Sequence, residues 1–258
     1  MIETLNHETE DIWGYAKRLR FVRAVIGDAF GESMIVSVLD IGCGNGSQLA
    51  IPLASDERLQ ITAIDTDAAS IEHGGELAES VQNLNFICTS IEDLPRDERF
   101  QVIILSEVLE HLEQPADMLR HARSLLDREG VLIVTVPNGY GEFELDSSIF
   151  RALRLQKVVD RLAQKSDALA ATDNSASSHV QFFTRARLKD LFKRAGLVIT
   201  AEGAGSFLAG PIAGHIIAKS RRLVEWNARV TDRLPLVLAS GWYFALRLNK
   251  SDFAEGSR

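Results

Sequence analysis

Short apolar runs alternate with segments of helical periodicity along most of the chain. The apolar runs are rich in the β-branched and aromatic residues that strands favour. Seven strands are predicted, at 34–40, 59–65, 84–88, 100–106, 131–136, 197–203 and 242–249. Because strands that alternate with helices form βαβ units, the pattern predicts an α/β fold with a mostly parallel sheet.

Three segments before or between these strands have clear helical signals. Residues 11–28 place apolar side chains at three- and four-residue intervals, which predicts a leading helix with one apolar face. A helix is predicted over 115–127, because Pro115 suits the first turn of a helix. Another helix is expected to begin after Thr184, a suitable N-cap, and to stop at Gly196.

The chain of 258 residues is expected to form a single domain, which consists of one repeating α/β core with added segments. The predicted parts are the leading helix within 1–30, the core at 34–137, insertions at 138–180 and 205–236, and the final strand at 242–249. The insertions interrupt the repeating pattern, and connecting segments of this kind often carry function. We therefore expect the insertions to cap the site.

The composition narrows the class of protein and of partner. Hydrophobic residues make up 46% of the chain and charged residues 25%, as in ordinary globular proteins. The formal net charge of −8 disfavours binding to a nucleic-acid backbone. Cys43 and Cys88 have the spacing of neither a zinc site nor a disulfide framework, so a cytoplasmic location is expected. The sequence shows no signal-peptide pattern and no apolar run of transmembrane length.

The strongest chemical signal follows the first predicted strand, in Val38–Gly46 (VLDIGCGNG). The strand ends in Asp40 and runs into alternating glycines, which let a backbone approach a ligand closely. Ser47 replaces the third glycine of the dinucleotide fingerprint, which weighs against a nicotinamide-dependent oxidoreductase. Asp65 ends the second strand, where an acid can accept hydrogen bonds from ribose hydroxyls. Taken alone, Asp65 could instead cap a helix that begins near Asp67.

Four segments together resemble a known family. They are Val38–Gly46, Asp65, Phe86–Pro95 and Phe100–Leu112. In their order they are similar to the successive motifs of class I S-adenosylmethionine-dependent methyltransferases, and most similar to the branch that includes the ubiquinone-biosynthesis O-methyltransferases. The resemblance implies a Rossmann-like, doubly wound sheet of seven strands, mostly parallel with an antiparallel last strand. It also implies that the cofactor is S-adenosylmethionine.

The resemblance further assigns roles to particular residues. It implies that Asp40 orients the methionine amino group of the cofactor and that Asp65 holds the ribose. The other expected cofactor contacts are Gly42, Gly44, Gly46, Ser90, Ile91, Ser106 and Glu107. Many relatives have an acid where this chain has Ser90, so the Ser90 hydroxyl and the Ile91 backbone are expected to contact the adenine. The leading helix, which contains Arg18, folds over the cofactor in relatives, although packing on the sheet explains that helix equally well.

Three residues are candidates for proton transfer. A hydroxyl acceptor must lose its proton on methylation, and a histidine or carboxylate near the methyl group is the usual base. Glu110 and His111 follow the fourth strand, and on a helix they would share one face with Glu107. His179 is the third candidate, and each of the three could instead be structural. Together with Glu107, the three candidates could instead bind a divalent metal, as in similar enzymes that methylate RNA ends, but no metal site is predicted.

The predicted activity is O-methylation of a small molecule, or of a glycan or lipid-linked intermediate. The alternatives are N- or C-methylation of a comparable substrate, metal-assisted methylation of an RNA end, and a noncatalytic partner protein that binds S-adenosylmethionine. Pro137–Gly141 follows the fifth strand and is expected to form one wall of the acceptor pocket, where Tyr140 either contacts the acceptor or packs against its neighbours.

The insertion at 205–236 has two interpretations. Apolar residues such as Phe207 and Ile216 precede a short basic cluster that contains Arg221 and Arg222. A segment of this kind can lie on an anionic membrane surface. Because the chain is acidic overall, we expect the segment to close over the acceptor site instead, and the protein to remain in solution.

Overall fold

The computed structural model describes residues 14–138, 180–207, 220–231 and 233–249. Seven strands form one sheet: β1 (Val36–Ile41), β2 (Leu59–Asp65), β3 (Leu84–Cys88), β4 (Phe100–Ser106), β5 (Leu126–Pro137), β6 (Leu197–Ala204) and β7 (Gly241–Leu248). Their order across the sheet is β3-β2-β1-β4-β5-β7-β6. Neighbouring strands are parallel except at β7, which runs antiparallel to both β5 and β6. The predicted doubly wound α/β fold with an antiparallel last strand is confirmed.

Helices pack on both faces of this sheet. They are α1 (Tyr15–Phe30), α2 (Ala50–Leu53), α3 (Ala68–Leu77), α4 (Pro115–Leu125), α5 (Arg185–Arg194) and α6 (Arg221–Thr231). The Thr184 side chain accepts a hydrogen bond from the backbone N of Arg187, at 3.2 Å, so it caps α5 as predicted. The leading helix is present as α1, and residues 1–13 lie outside the described part of the chain.

The central strands are buried on both faces, which explains their continuous apolar runs in the sequence. Val102 and Ile104 of β4 belong to a core that contains the apolar side of α1 and the Ala50 and Leu53 side chains of α2. Ile103 and Leu105 alternate with them and belong to a second core, which includes α4 and α5. Because both sides of the sheet are covered, the edge formed by the carboxyl ends of the parallel strands is where a site can open.

The main difference between the predicted and observed elements lies between α4 and β5. The helix predicted over 115–127 ends at Leu125, and the strand predicted over 131–136 spans Leu126–Pro137. Leu126 pairs with Phe100, whereas Val131 pairs with Val102, so the register shifts between the two pairs. Between them, Asp127 is polar and half-buried, and Arg128 and Glu129 are charged and exposed, which removes the strand signal from that part of the sequence.

Nearly all of the first predicted insertion and part of the second lie outside the described residues. This includes 139–179, with Tyr140 and His179, and also 208–219. The structure describes α6 in the second insertion, and a short 3₁₀ helix at Leu236–Leu238 begins at its end. No helix in the described part of the chain is both long and apolar enough to cross a membrane.

The turn after β1 is packed tightly against the aromatic ring of Phe86 in β3. Gly46 has a φ of 73°, and a Cβ placed there would lie 2.5 Å from the Phe86 Cζ atom. Gly74 of α3 approaches the same ring, since its Cβ would lie 2.8 Å from Phe86 Cε1. Phe86 thus fixes the distance between the turn, α3 and the edge of the sheet.

We predict that Gly46→Ala lowers the free energy of unfolding by about 2–4 kcal/mol, because overpacking and a positive φ both oppose a side chain. Gly27→Ala is the control, since its Cβ would meet no heavy atom within 4 Å in the exposed face of α1. That change should stabilise the protein by about 0.5–1 kcal/mol. Chemical denaturation measures both, and equal effects of the two substitutions would contradict the packing argument.

Candidate active site

The glycine turn after β1 leaves one stretch of backbone facing open space. Gly42, Gly44 and Gly46 have φ values of 69°, 55° and 73°. A Cβ at Gly42 would lie 2.7 Å from Val108 Cγ2, whereas one at Gly44 would meet no heavy atom within 4 Å. Packing within the protein therefore accounts for the glycines at 42 and 46. At Gly44 the open side is suited to the close approach of a ligand.

Asp65 fixes the position of this turn from the end of β2. Its Oδ2 atom accepts a hydrogen bond from the Gly44 backbone N at 2.8 Å, and its Oδ1 atom accepts one from the Asp67 backbone N at 2.9 Å. The alternative that Asp65 is a helix N-cap is wrong, because Asp67 caps α3 by accepting from the Ser70 backbone N. Each carboxylate oxygen of Asp65 retains a lone pair for a further donor.

Asp40 brings a buried acid to the same turn. Its side chain is only 2% exposed. Burial, followed by the nearby charge of Asp65, raises the pKa of Asp40 to about 7, and Arg18 opposes this rise. The structure gives the Asp40 carboxylate no hydrogen bond within the described residues. A positively charged group that entered the site would therefore be favoured beside it.

Arg18 is the site residue that the sequence analysis did not select. It lies on α1 and is 6% exposed. Its Nη1 atom donates to Ser106 Oγ at 3.0 Å and to Gln48 Oε1 at 3.3 Å, and its Nη2 atom lies 3.4 Å from Glu107 Oε1. Its Nε atom has no partner among the described residues. In the sequence, the one sign that Arg18 is buried is its position near Ala16 and Leu19, on the apolar side of the predicted helix.

Glu107 lies just past β4 in a strained backbone conformation. Its φ of 57° is uncommon for a residue other than glycine, and such strain is often found at functional sites. The Thr135 hydroxyl donates to Glu107 Oε1 at 2.8 Å and lies 3.1 Å from the Ser106 hydroxyl oxygen. The expectation that Glu107 shares a helix face with the later candidates is wrong, because these candidates lie on a 3₁₀ helix, Leu109–His111, that begins only after Glu107. Glu107 belongs to a polar network with Arg18.

Glu110 and His111 form a pair beyond this network. Glu110 is 1% exposed, and burial, followed by the nearby charge of Glu107, raises its pKa to about 9. His111 Nε2 lies 3.8 Å from Glu110 Oε1, and the His111 side chain is 31% exposed. The Glu110 carbonyl accepts hydrogen bonds from the backbone N atoms of Val180 and Gln181, both at 3.0 Å. His179 lies outside the described residues.

Ser90 and Ile91 follow β3 at the same edge of the sheet. The Ser90 hydroxyl donates to Asp93 Oδ2 at 2.8 Å, and Ile91 begins a short 3₁₀ helix that ends at Asp93. The hydroxyl hydrogen is thus directed to Asp93, while the lone pairs of Ser90 Oγ can still accept a hydrogen bond. The expected contact between Ser90 and an adenine amino group stays a prediction.

Comparison with known proteins assigns the family. A family model described as a methyltransferase domain matches residues 6–202. The chain belongs to this methyltransferase domain family. The ubiquinone biosynthesis O-methyltransferase of Rickettsia felis is 30% identical over 122 residues, which cover 47% of this chain and 49% of that protein. The enzyme of the same name from Coxiella burnetii is 35% identical over 103 residues, or 39% and 43% of the two chains. The matched region spans about half the length of these curated relatives or less.

Solved structures confirm the fold of the methyltransferase domain. The magnesium protoporphyrin IX methyltransferase from Synechocystis PCC 6803 with bound SAH has a TM-score of 0.56 at 16% identity, covering 90% of this chain and 82% of that one. The cyclase SpnF has a TM-score of 0.58 at 18% identity, with coverages of 90% and 80%. Since one of these neighbours is named a cyclase, the fold alone does not determine the reaction.

The methyltransferase domain contains no group of three or more His, Cys, Asp or Glu that could hold a metal ion among its described residues. Glu107, which would be a ligand of the alternative metal site, is held by Arg18 and Thr135. Glu110, another, is buried with its proton retained near neutral pH. A metal would have to displace these contacts in order to bind to the two acids.

Glu110→Gln is predicted to raise the free energy of unfolding at pH 8 by about 1–3 kcal/mol. This range is the usual free-energy cost of a buried polar group that lacks some of its hydrogen-bond partners. In the native state Glu110 keeps a proton that the unfolded chain loses above its ordinary pKa of about 4.5. Wild-type stability therefore falls as the pH rises from about 4.5 towards about 9, and glutamine removes this contribution.

Chemical denaturation of wild type and variant across this range measures the difference. Glu113→Gln, at an exposed carboxylate three residues further along, is the matched control. If the stability difference between wild type and Glu110→Gln did not grow with pH, Glu110 would not be a neutral acid in the native state.

Proposed function

We propose that the protein is an S-adenosylmethionine-dependent methyltransferase whose cofactor binds at the carboxyl ends of β1, β2 and β4. The observation that carries the proposal is the open backbone at Gly44, which Asp65 holds in place at 2.8 Å. Membership of the methyltransferase domain family supports the same conclusion. A turn of this form suits a nucleoside that lies against the backbone, with the acid of β2 beside its ribose.

The charges of the site suit the methionine end of the cofactor, which has one ammonium and one carboxylate. Asp40, buried and without a hydrogen bond in the described residues, would pair with the ammonium group. Arg18 is the buried cation beside it, and its Nε atom still lacks a partner there, so it would pair with the carboxylate. Ser106 and Glu107 hold the Arg18 guanidinium in position.

The other cofactor contacts follow from the arrangement of the strand ends. Asp65 would accept hydrogen bonds from the ribose hydroxyls through its remaining lone pairs, and Gly42 and Gly44 would form the floor of the site. Ser90 Oγ and the Ile91 backbone would contact the adenine. When bound, the cofactor supplies a methyl group on a positively charged sulfur. The protein has to position an acceptor atom at about 3 Å from that methyl group and exclude water.

His111 is the residue we assign to remove the acceptor proton. It is partly exposed at the end of β4, whereas Glu110 is almost fully buried. Because Glu110 retains its proton near neutral pH, it acts as a positioning residue 3.8 Å from His111 Nε2 and does not serve as a base. His179 remains a further proposed member of the site.

The proposed acceptor is a hydroxyl group on a small molecule, or on a glycan or lipid-linked intermediate. The names of the curated relatives support O-methylation, at about 30% identity over part of their length. N- and C-methylation of comparable substrates are the alternatives. Incubation with methyl-labelled S-adenosylmethionine and hydroxylated aromatic compounds or glycans, followed by mass spectrometry for the gain of one methylene unit, tests the acceptor class directly.

Asp65→Ala is expected to weaken the binding of S-adenosylmethionine and of its demethylated product, because it removes the partners of two ribose hydroxyls and frees the Gly44 turn. The loss should be about tenfold or more, as for one or two hydrogen bonds with a charged group. Isothermal calorimetry with both ligands is the measurement. Asp67→Ala is the control, since that neighbouring carboxylate caps α3 and should leave affinity unchanged. Unchanged affinity in Asp65→Ala would refute the assigned cofactor site.

His111→Ala is expected to reduce turnover by about 10²-fold or more with nearly unchanged cofactor affinity, the usual effect of losing a general base. His121→Ala is the matched control, because His121 lies on the exposed side of α4 beside Glu92. Chelators should not affect the activity. Inactivation by a chelator with recovery on addition of Mg²⁺ or Mn²⁺ would favour instead a metal site that includes Glu107, Glu110, His111 and His179.

A further inference from the structure

Helix α6 packs on the protein through one side only. Val224, Asn227, Ala228 and Thr231 are buried. Lys17 of α1 donates through its Nζ atom to the Ala228 carbonyl at 2.9 Å, which ties α6 to the leading helix. The contacts of α6 with the described part of the protein are thus made by positions spaced three and four residues apart, as on one face of a helix.

The opposite face of α6 combines apolar and basic side chains. Leu223 is 43% exposed and Trp226 is 51% exposed, three residues further along the same face. Arg222 and Arg229 are exposed and lie alongside Trp226, at spacings of four and three residues. We call Arg222, Leu223, Trp226 and Arg229 the α6 outer face. Large exposed apolar side chains that are bordered by polar groups often mark an interaction site.

The charge of this region differs from that of the chain. The whole chain has a net charge of −8, yet the sequence contains no Asp or Glu from Gly203 to Val224. Glu225 is the first acid after that stretch, and it forms ion pairs with Arg221 and Arg229 at 3.3 Å. Arg222 forms no ion pair within the described residues. The α6 outer face is therefore a local basic surface on an acidic protein.

We propose that the α6 outer face docks the protein on an anionic lipid bilayer, with α6 parallel to the membrane surface. Trp226 and Leu223 enter the boundary between headgroups and acyl chains, while the arginines contact anionic headgroups. A second copy fits less well, because an isologous contact would bring the arginines of the two faces together. The exposed face thus favours the membrane interpretation of the second insertion over the expectation that the protein remains in solution.

Helix α1 links the α6 outer face to the proposed active site. Lys17 contacts α6, and its neighbour Arg18 contacts Ser106 and Glu107 at the end of β4. One helix, α1, therefore connects the docking face with the site. If the proposed function holds, an acceptor carried by the bilayer would reach the site without leaving the membrane region. Membrane binding itself does not depend on that function and is measured separately from it.

The test is cosedimentation of the full chain with two kinds of vesicle. One is pure phosphatidylcholine, and the other is phosphatidylcholine with about 30% phosphatidylglycerol. The second composition gives the negative surface potential that attracts basic residues. We expect binding to the anionic vesicles that weakens with added salt. Arg222→Glu with Arg229→Glu should reduce the partition coefficient by at least about tenfold. Leu223→Ser with Trp226→Ser should also reduce the partition coefficient, although it leaves the net charge unchanged.

Matched controls separate this face from the general properties of the protein. Arg96→Glu with Arg128→Glu makes the same change in charge at exposed positions elsewhere, and Ile35→Ser with Val198→Ser removes exposed apolar side chains. Both control proteins should bind vesicles like wild type, and circular dichroism should show every variant folded. No binding of wild type to anionic vesicles would overturn the proposal. So would equal binding by all variants, or a dimer in solution that is lost in Trp226→Ser without any vesicle binding.

Discussion

The candidate site depends on one buried cation, Arg18. It contacts Glu107 and lowers the pKa values of Asp40 and Glu110, against the effect of burial on both acids. Three carboxyl groups without this cation would be hard to keep together in the interior, because charges removed from water are stable only when they are compensated. The helix that supplies Arg18 is therefore part of the site. The neutral state of Glu110 near pH 7 is the other way in which the fold accommodates so many acids in a small volume.

The sequence was sufficient for those parts of the fold that depend on periodicity and turn chemistry. The buried strands β1 and β4 read as continuous apolar runs, and Thr184 and Gly196 mark the ends of α5. The failures have a physical reason. Residues 127–129, near the start of β5, are polar and lie at least partly exposed, so they carry no strand signal. Glu107 leaves the helical pattern because its φ is positive, which no sequence rule indicates. Arg18 could not be predicted as a site residue, because its role depends on long-range contacts with Ser106 and Glu107 at the end of β4.

The family and the reaction rest on different observations. The order of the strands and the family match establish the methyltransferase domain. The chemistry is a property of the side chains at the carboxyl ends of β1, β2 and β4, where the open backbone at Gly44, the acids Asp40 and Asp65 and the buried cation Arg18 meet. A related fold is found in a protein named a cyclase. The case for methyl transfer therefore depends on how these particular groups suit a zwitterionic methionine end, and the fold serves to hold them in place.

The position of α1 also determines which part of the chain would have to be transferred as a unit if the candidate site is to be kept. The strands from β1 to β5 form the parallel part of the sheet and include Asp40 and Asp65. Yet Lys17 and Arg18 lie outside them in the chain, and Tyr243 of β7 donates to the Gly14 carbonyl from the other end of the chain. A gene fusion or a shuffled domain that began at β1 would inherit the acids but not their counter-ion. Recombination that preserves a working site must therefore move the leading helix, the core and the last strand as one block.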